Sequence, residues 1–237
     1  MRLSGEKKWS EIGIPPRPDE ALKSRDYGTA ANAFAMEHFL QCRDSRAWIS
    51  DGSMIGFGAA LWLAEDPHGA IRIWARVCDE AIKGRFTHSS DGTFKGGLLL
   101  WFASVWMEKL EWKTDPPELR DNLTDDMHDL ADTLLEKLLR KKRPIMGAGI
   151  AASIAKHLRG EIDLATVETE YSDVALFRER QQTMVMFYAG VRAFEHGNQQ
   201  EALRLWSQVG TPKNSLIEIE YHLLVAERNR LGNEFKK

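Results

Sequence analysis

The chain has 237 residues, of which 43% are hydrophobic, enough for one large domain or a continuous helical stack with a buried core. Its formal net charge of -3 describes a mildly acidic surface, which gives no electrostatic reason to expect nucleic-acid binding. The longest apolar stretch, residues 96–107, is shorter than the ~20 residues that a membrane-spanning helix needs.

The N-terminal segment, residues 1–18, is predicted to be an extended lead-in, because Pro15, Pro16 and Pro18 exclude a helix there. It has no apolar signal-peptide core, so the chain is expected to be cytoplasmic. Residues 19–237 are predicted to form a single all-α, helical-repeat-like domain.

The spacing of apolar residues and turn signals after residue 18 predicts a succession of helices. The first begins near Asp19, and another is capped by Ser53. The helix that Ser53 caps covers residues 54–64, and the next begins at Pro67 and continues to about residue 81. The remaining predicted helices cover about residues 27–42, 98–112, 117–143, 146–158, 164–177, 181–195, 199–209 and 215–231. No stretch alternates with a period of two for long enough to indicate a sheet, so the predicted class is all-α, with antiparallel helical hairpins.

A pattern of one glycine, one alanine and one tryptophan occurs twice at identical spacing. Its members are Gly58, Ala70 and Trp74 in the first copy, and Gly190, Ala202 and Trp206 in the second. In a helical hairpin the two helices approach closely at small residues, and a large aromatic residue one turn further on fills the space to the next helix. The pattern therefore predicts two such hairpins.

This pattern resembles the tetratricopeptide repeat, in which a small residue and a turn glycine precede an alanine and an aromatic residue. The second copy has Gly197 at the turn position, whereas the first copy has Glu65. Pro212 lies slightly before the position of the closing proline of the repeat. Because the other helices keep no regular period, the resemblance implies a degenerate tetratricopeptide-like α-α array, closed rather than open, that binds other proteins.

No motif in the chain indicates a reaction or a cofactor, so the chain is expected not to be an enzyme. Asp125, His128, Asp129 and Asp132 share one helix face and could bind a divalent metal. A solvated acidic face is favoured, because no second helix offers a matching Glu-x-x-His. A helical enzyme would instead bring several titratable groups together in one deep pocket.

Two stretches rich in carboxylates are predicted to form a negative patch for a basic partner protein, provided that they adjoin in the fold. The alternative is two separate solvated helix faces. The candidate partner-binding residues are Asp115, Glu118, Asp121, Asp125, Asp126, Asp129, Asp132, Glu161 and Asp163. The second stretch continues through Glu168, Glu170 and Asp173.

Residues 51–106, with segments 61–66, 73–74 and 98–102, resemble the helical, tryptophan-containing immunity proteins of bacterial polymorphic toxin systems. This resemblance implies a scaffold that binds and neutralises a cognate toxin domain without catalysis, and acidic patches would suit a basic toxin. The alternative is a tetratricopeptide-type adaptor or secretion chaperone. Such a protein binds a peptide in a concave groove lined by Asn, Lys or Arg.

Overall fold

The computed structural model describes residues 17–43, 51–84, 92–109, 117–140, 149–210 and 218–234. Most of the predicted lead-in over residues 1–18 therefore lies outside the described residues. Within the described ranges the chain forms eleven α-helices and no β-strand, which confirms the all-α class. The helices are α1 (Pro18–Lys23), α2 (Tyr27–Arg43), α3 (Asp51–Leu63), α4 (Pro67–Ile82), α5 (Gly92–Lys109), α6 (Pro117–Leu139), α7 (Gly149–Leu158), α8 (Leu164–Glu168), α9 (Ala175–Glu195), α10 (Gln199–Ser207) and α11 (Ile219–Glu234).

Side-chain caps set the starts of α4 and α10 in the same way. The Asp66 carboxylate accepts a hydrogen bond from the Gly69 N–H at 2.8 Å. The Asn198 side chain accepts one from the Glu201 N–H at 3.1 Å. Each cap satisfies one of the amide groups that have no partner in the first turn of a helix.

The start of α5 differs from the sequence prediction, because it lies at Gly92 rather than near Leu98. Gly96 and Gly97 lie inside the helix and allow close packing. A Cβ atom on Gly96 would lie 2.7 Å from a methyl group of α4, and one on Gly97 would lie 2.8 Å from Leu135 Cδ2 of α6. These glycines therefore bring helices together and do not break the chain.

The helix predicted over residues 164–177 is wrong over residues 169–174. The short α8 ends at Glu168, and α9 begins at Ala175, ahead of the predicted start at Gln181. The Thr169 hydroxyl donates a hydrogen bond to the Thr166 carbonyl at 2.7 Å. Short polar side chains of this kind compete with helical backbone bonding, which favours the end of α8 here.

Smaller corrections concern the ends of two helices. α3 begins at Asp51, so Ser53 lies inside the helix and does not cap it. α6 ends at Leu139 rather than near Arg143, whereas the predicted helix start at Met146 lies outside the described residues, which resume with α7 at Gly149. Errors of a few residues at helix ends are common, because the last turns have fewer hydrogen bonds than the interior.

Each helix packs against the next one along the chain, from α1 to α11. The array also returns on itself, because α11 packs against α3 and α9, and α5 packs against α9. In an open solenoid each unit touches only its neighbours. The contacts between distant helices agree with a closed arrangement.

The two glycine–tryptophan patterns lie in two helical hairpins, which we call hairpin A (α3–α4) and hairpin B (α9–α10). A Cβ atom added to Gly58 would overlap the indole of Trp74, and one added to Gly190 would overlap the indole of Trp206. Each glycine thus makes room for the tryptophan of the facing helix. All four residues are buried.

The two tryptophans also make equivalent hydrogen bonds. Trp74 Nε1 donates to the Ile55 carbonyl at 3.3 Å, and Trp206 Nε1 donates to the Phe187 carbonyl at 3.0 Å. Both pairs are separated by 19 positions along the chain. The hairpins therefore repeat one packing unit, with each indole held both by its shape and by its N–H.

The turns of the two hairpins have the same backbone shape but different residues. Glu65 in hairpin A has φ 64°, and Gly197 in hairpin B has φ 76°. Positive φ suits glycine and costs free energy for a residue with a Cβ atom. Hairpin A therefore adopts the tight turn with an unfavourable residue at its most demanding position.

A buried carboxylate lies at the centre of the core. Glu227 of α11 is fully buried and accepts hydrogen bonds from Trp62 Nε1 at 2.7 Å and from Trp106 Nε1. Arg230 lies 3.1 Å from the same carboxylate. Burial raises the pKa of Glu227 to about 7, against the opposing effects of Arg230 and the two indoles.

Aromatic side chains from both hairpins meet around this carboxylate. Trp62 stacks on Trp74 of hairpin A at 5.9 Å between ring centroids. Trp106 of α5 contacts hairpin B through Phe194 at 4.2 Å and Trp206 at 5.8 Å. Glu227 thus connects the aromatic clusters of the two hairpins through α11.

Candidate functional site

The structure brings together two members of the predicted acidic patch. Arg159 at the end of α7 forms ion pairs with Asp132 of α6 and, at 2.7 Å, with Glu161. The two carboxylates share one guanidinium, so part of their negative charge is neutralised locally. Asp126 and Asp129 are exposed on α6.

The other predicted acidic residues have different positions. Asp163 caps α8 by accepting hydrogen bonds from the backbone N–H and the hydroxyl of Thr166, which lower the pKa of Asp163. Glu118, Asp121 and Asp125 belong to α6 by their backbone, but their side chains lie outside the described residues. Asp115 also lies outside the described residues.

The proposed metal-binding face of α6 is divided in the structure. His128 turns towards α5, where its Nδ1 lies 3.3 Å from the Ser104 hydroxyl and its ring lies 4.2 Å from Trp101. Asp132 is paired with Arg159. Among the described residues, no three His, Cys, Asp or Glu side chains are grouped closely enough to hold a metal ion.

Three large apolar side chains at the start of α9 are exposed, and the rest of the described chain exposes none. Val174, Leu176 and Phe177 keep 55%, 43% and 50% of their surface accessible. We call this group the α9 ridge. The sequence gives no signal that these apolar residues are exposed, because its pattern predicts them to lie in a helix over residues 164–177.

Hydrogen bonds hold the segment before the ridge in place. The Ser172 N–H donates to Gln181 Oε1 at 2.6 Å, and Arg178 Nε donates to the Ser172 carbonyl at 2.9 Å. The Val174 N–H donates to the Ser172 hydroxyl at 3.2 Å. The first turns of α9 thus bond to the chain that enters them, and the ridge has a defined shape before any partner binds.

A cleft of about 380 Å³ lies on one flank of the ridge, and we call it the Lys95 cleft. Lys95 Nζ lies 3.2 Å from Glu218 and 3.5 Å from Glu220, and Arg180 also pairs with Glu218. Although burial opposes it, these two cations hold the pKa of Glu218 below its usual value. Glu220 is fully buried, and burial raises its pKa despite the nearby Lys95. The cleft brings titratable groups together, but its charges pair with one another.

The remaining lining of the Lys95 cleft is mostly apolar. Ile150, Phe177 and Met184 form its walls, together with Ser172 and Gln181. The exposed Phe177 ring therefore belongs both to the ridge and to this cleft. Aromatic, methionine and arginine side chains are the residue types that protein interfaces favour.

A second cleft, of about 340 Å³, lies on the opposite flank of α9, and we call it the Tyr171 cleft. Glu179 and Thr183 reach it from α9, while Glu168 and Tyr171 reach it from the end of α8 and the following turn. Gln208 closes it beyond the end of α10. Of the described residues that line this cleft, two are acidic and none is basic.

None of the helices in the described part of the chain combines the length and the apolar character needed to cross a bilayer. Comparisons with protein-family models, with curated proteins and with solved structures gave no match for this chain.

Proposed function

We propose that this chain is a protein-binding scaffold, and that it acts as an immunity protein which binds and neutralises a toxin domain without catalysis. The α9 ridge is the observation that carries the proposal. Large apolar side chains that are exposed together mark contact sites for other proteins more often than isolated ones do. Val174, Leu176 and Phe177 are such a group.

The surroundings of the ridge also favour a protein partner. Phe177 adjoins Arg180, and buried aromatic and arginine side chains contribute most of the binding free energy in many interfaces. The clefts on both flanks make this surface uneven, and a folded partner domain can pack into such a surface with complementary shape. The ordered turn before the ridge reduces the entropy lost on binding.

The second candidate is a tetratricopeptide-type adaptor that binds a peptide. One observation favours it: Lys95 and Arg180 line a cleft, as expected of a peptide groove with basic residues. We rank it below the immunity function, because Glu218 is paired with both cations and reduces their attraction for a peptide carboxylate.

The test is a complex between this protein and the folded toxin domain encoded by the adjacent gene. We expect the purified pair to elute as one species in size exclusion, and co-expression to restore the growth of cells that produce the toxin domain. No complex and no rescue would contradict the immunity proposal. A complex with an unfolded peptide of the toxin, but not with its folded domain, would favour the adaptor.

Variants of the α9 ridge test whether the toxin domain binds at this surface. In the double variant Leu176→Ser and Phe177→Ser, we expect the affinity to fall about 30-fold, since hot-spot residues contribute roughly 2 kcal/mol or more. Asp126→Asn with Asp129→Asn is the matched control on the exposed face of α6. If only the α6 variant weakens the complex, the partner binds the predicted acidic patch and not the ridge.

A further inference from the structure

The described lining of the Tyr171 cleft is acidic, which suits a basic ligand group. Glu168 and Glu179 line it, and Glu168 contributes to raising the pKa of the Tyr171 phenol above its usual value, after the larger effect of burial. The negative potential of Glu168 therefore reaches the Tyr171 side of the cleft. A positively charged group is therefore attracted to this cleft, because the acidic lining makes the electrostatic potential negative.

The polar lining of the same cleft accepts hydrogen bonds. Gln182 and Gln208 also line it, and each carries an amide oxygen that can accept a hydrogen bond. The Tyr171 hydroxyl oxygen is buried in the wall and has no hydrogen-bond partner among the described residues. A buried polar atom without a partner costs free energy, so a donor that reaches it is favoured.

We propose that the Tyr171 cleft receives an arginine side chain of the partner protein while the partner packs on the adjacent α9 ridge. This inference rests on the proposed protein-binding function and names the chemistry of the partner at one position. The occupant is an arginine because a guanidinium presents several planar donors to carboxylate and amide oxygens and stacks well on aromatic rings.

The geometry of α9 places the two parts of this contact side by side. Leu176 of the ridge lies three positions before Glu179 and so on the same side of the helix, and Thr183 and Met186 continue the cleft wall one and two turns further. A partner segment that covers the ridge therefore reaches the cleft without a long excursion. The Lys95 cleft on the other flank is lined by two cations and serves as an internal control, because it is not expected to bind a cationic side chain.

The test is an NMR titration of the isotope-labelled, full-length protein with a blocked arginine, Nα-acetyl-L-arginine amide. We expect saturable shifts of the amide signals of Tyr171, Gln182 and Gly210 at millimolar concentrations, and little change around Lys95. The neutral citrulline analogue has nearly the same shape. We expect it to shift these signals at least fivefold less, because it lacks the positive charge.

Substitutions locate the binding in the cleft. Glu168→Gln combined with Glu179→Gln preserves shape and removes both carboxylate charges, and we expect at least a fivefold weaker response to blocked arginine. Asp126→Asn with Asp129→Asn removes two exposed charges elsewhere and should leave the response unchanged. Equal shifts from arginine and citrulline, or from blocked lysine, would overturn the proposal. An unaltered response in the cleft variant would also overturn it, and the signals outside the cleft report whether that variant is folded.

The same cleft variant separates this inference from the proposed function. If the toxin-domain complex forms and the variant binds it as tightly as the natural protein, the arginine contact is absent while the immunity function stands. If blocked arginine binds in the cleft but no toxin-domain complex forms, the cleft assignment stands while the immunity function fails.

Discussion

Hairpins A and B contain the same packing unit, but they differ in the length of the helix that carries the glycine. In hairpin A, α3 has 13 residues, and in hairpin B, α9 has 21. Among the described residues, the additional turns of α9 precede Gly190 and carry Leu176 and Phe177 of the ridge together with part of the walls of both clefts. The shared unit builds the core, and the turns of α9 without a described counterpart in α3 form the candidate binding surface.

The hairpins also differ in their link to the central carboxylate. At the position before the turn, hairpin A has Trp62, whose N–H bonds to Glu227, whereas hairpin B has Phe194. Phe194 instead contacts Trp106 of α5, whose N–H bonds to the same carboxylate. The two copies thus contribute unequally to a buried charge whose pKa lies in the physiological range.

A large effect is predicted for the dependence of stability on pH. Glu227 has a pKa of about 7 when folded and near 4.5 when exposed. Between these values the folded protein keeps a proton that the unfolded chain has lost, so the free energy of unfolding falls as pH rises. The fall is on the order of 3 kcal/mol between pH 4.5 and 7.5.

Urea unfolding at several pH values measures this slope, and Glu227→Gln isolates its source. Glutamine offers one carbonyl oxygen to two indoles, so we expect the variant to be less stable at pH 5. Its stability should also vary less with pH than that of the natural protein. Burial also raises the pKa of Glu220, so Glu220 lowers the free energy of unfolding as pH rises in both the natural protein and the variant. Parallel pH curves for the two proteins would show that Glu227 does not titrate in this range.

The equivalence of the two glycines is the next comparison to test. Gly58→Ala and Gly190→Ala should each lower the free energy of unfolding by about 2 kcal/mol, because the new methyl group displaces a buried indole. Gly232→Ala in α11 meets open space and should instead add about 0.5–1 kcal/mol. Thermal or urea unfolding measures all three. A loss at only one of the two packed glycines would contradict the equivalence of the hairpins.

Substitutions in the two turns test the same comparison with a smaller effect. They are expected to change the free energy of unfolding in opposite directions. Glu65→Gly in hairpin A should stabilise the protein by about 0.5–1 kcal/mol, because glycine adopts positive φ without the Cβ clash. Gly197→Ala in hairpin B should destabilise it by about 1 kcal/mol. The readout is the midpoint of urea unfolding, and a stabilising effect of Gly197→Ala would contradict the shared turn geometry.

The ridge should contribute least to stability. Phe177→Ala is expected to change the free energy of unfolding by less than about 0.5 kcal/mol, since half of the side chain is already exposed. Phe187→Ala, three turns further along the same helix in the shared unit, should cost about 3–5 kcal/mol, because that ring is fully buried. A comparable loss for both would assign the ridge to the core and weaken the interface proposal.

Periodic features of the fold could be predicted from the sequence, but exceptions to the usual burial rules could not. Trp74 and Trp206 recur with a glycine and an alanine at a spacing that only paired helices explain, so both hairpins were predictable. The first turns of α5, which contain Gly96 and Gly97, could not be predicted, because a glycine that permits close packing looks the same in sequence as one that permits a turn.

The candidate site was less predictable for the same physical reason. Apolar residues such as Phe177 are normally assigned to the core, and carboxylates such as Glu227 are normally assigned to the surface. Both are exceptions, and only three-dimensional contacts reveal them. The acidic residue Glu168 belongs to a predicted acidic stretch, but its cleft is also lined by Gln208, which lies far from it in sequence.

The bonds from Trp62 and Trp106 to Glu227 have a consequence for how the chain is made. Trp62 and Glu227 are separated by 165 positions, so the ribosome must release almost all of the described chain before this contact forms. Until then both indoles lack their acceptor, and the aromatic clusters around them remain open to other chains or to chaperones. Contacts between such distant residues slow folding. Truncation before Glu227 should therefore yield a chaperone-bound or aggregated product.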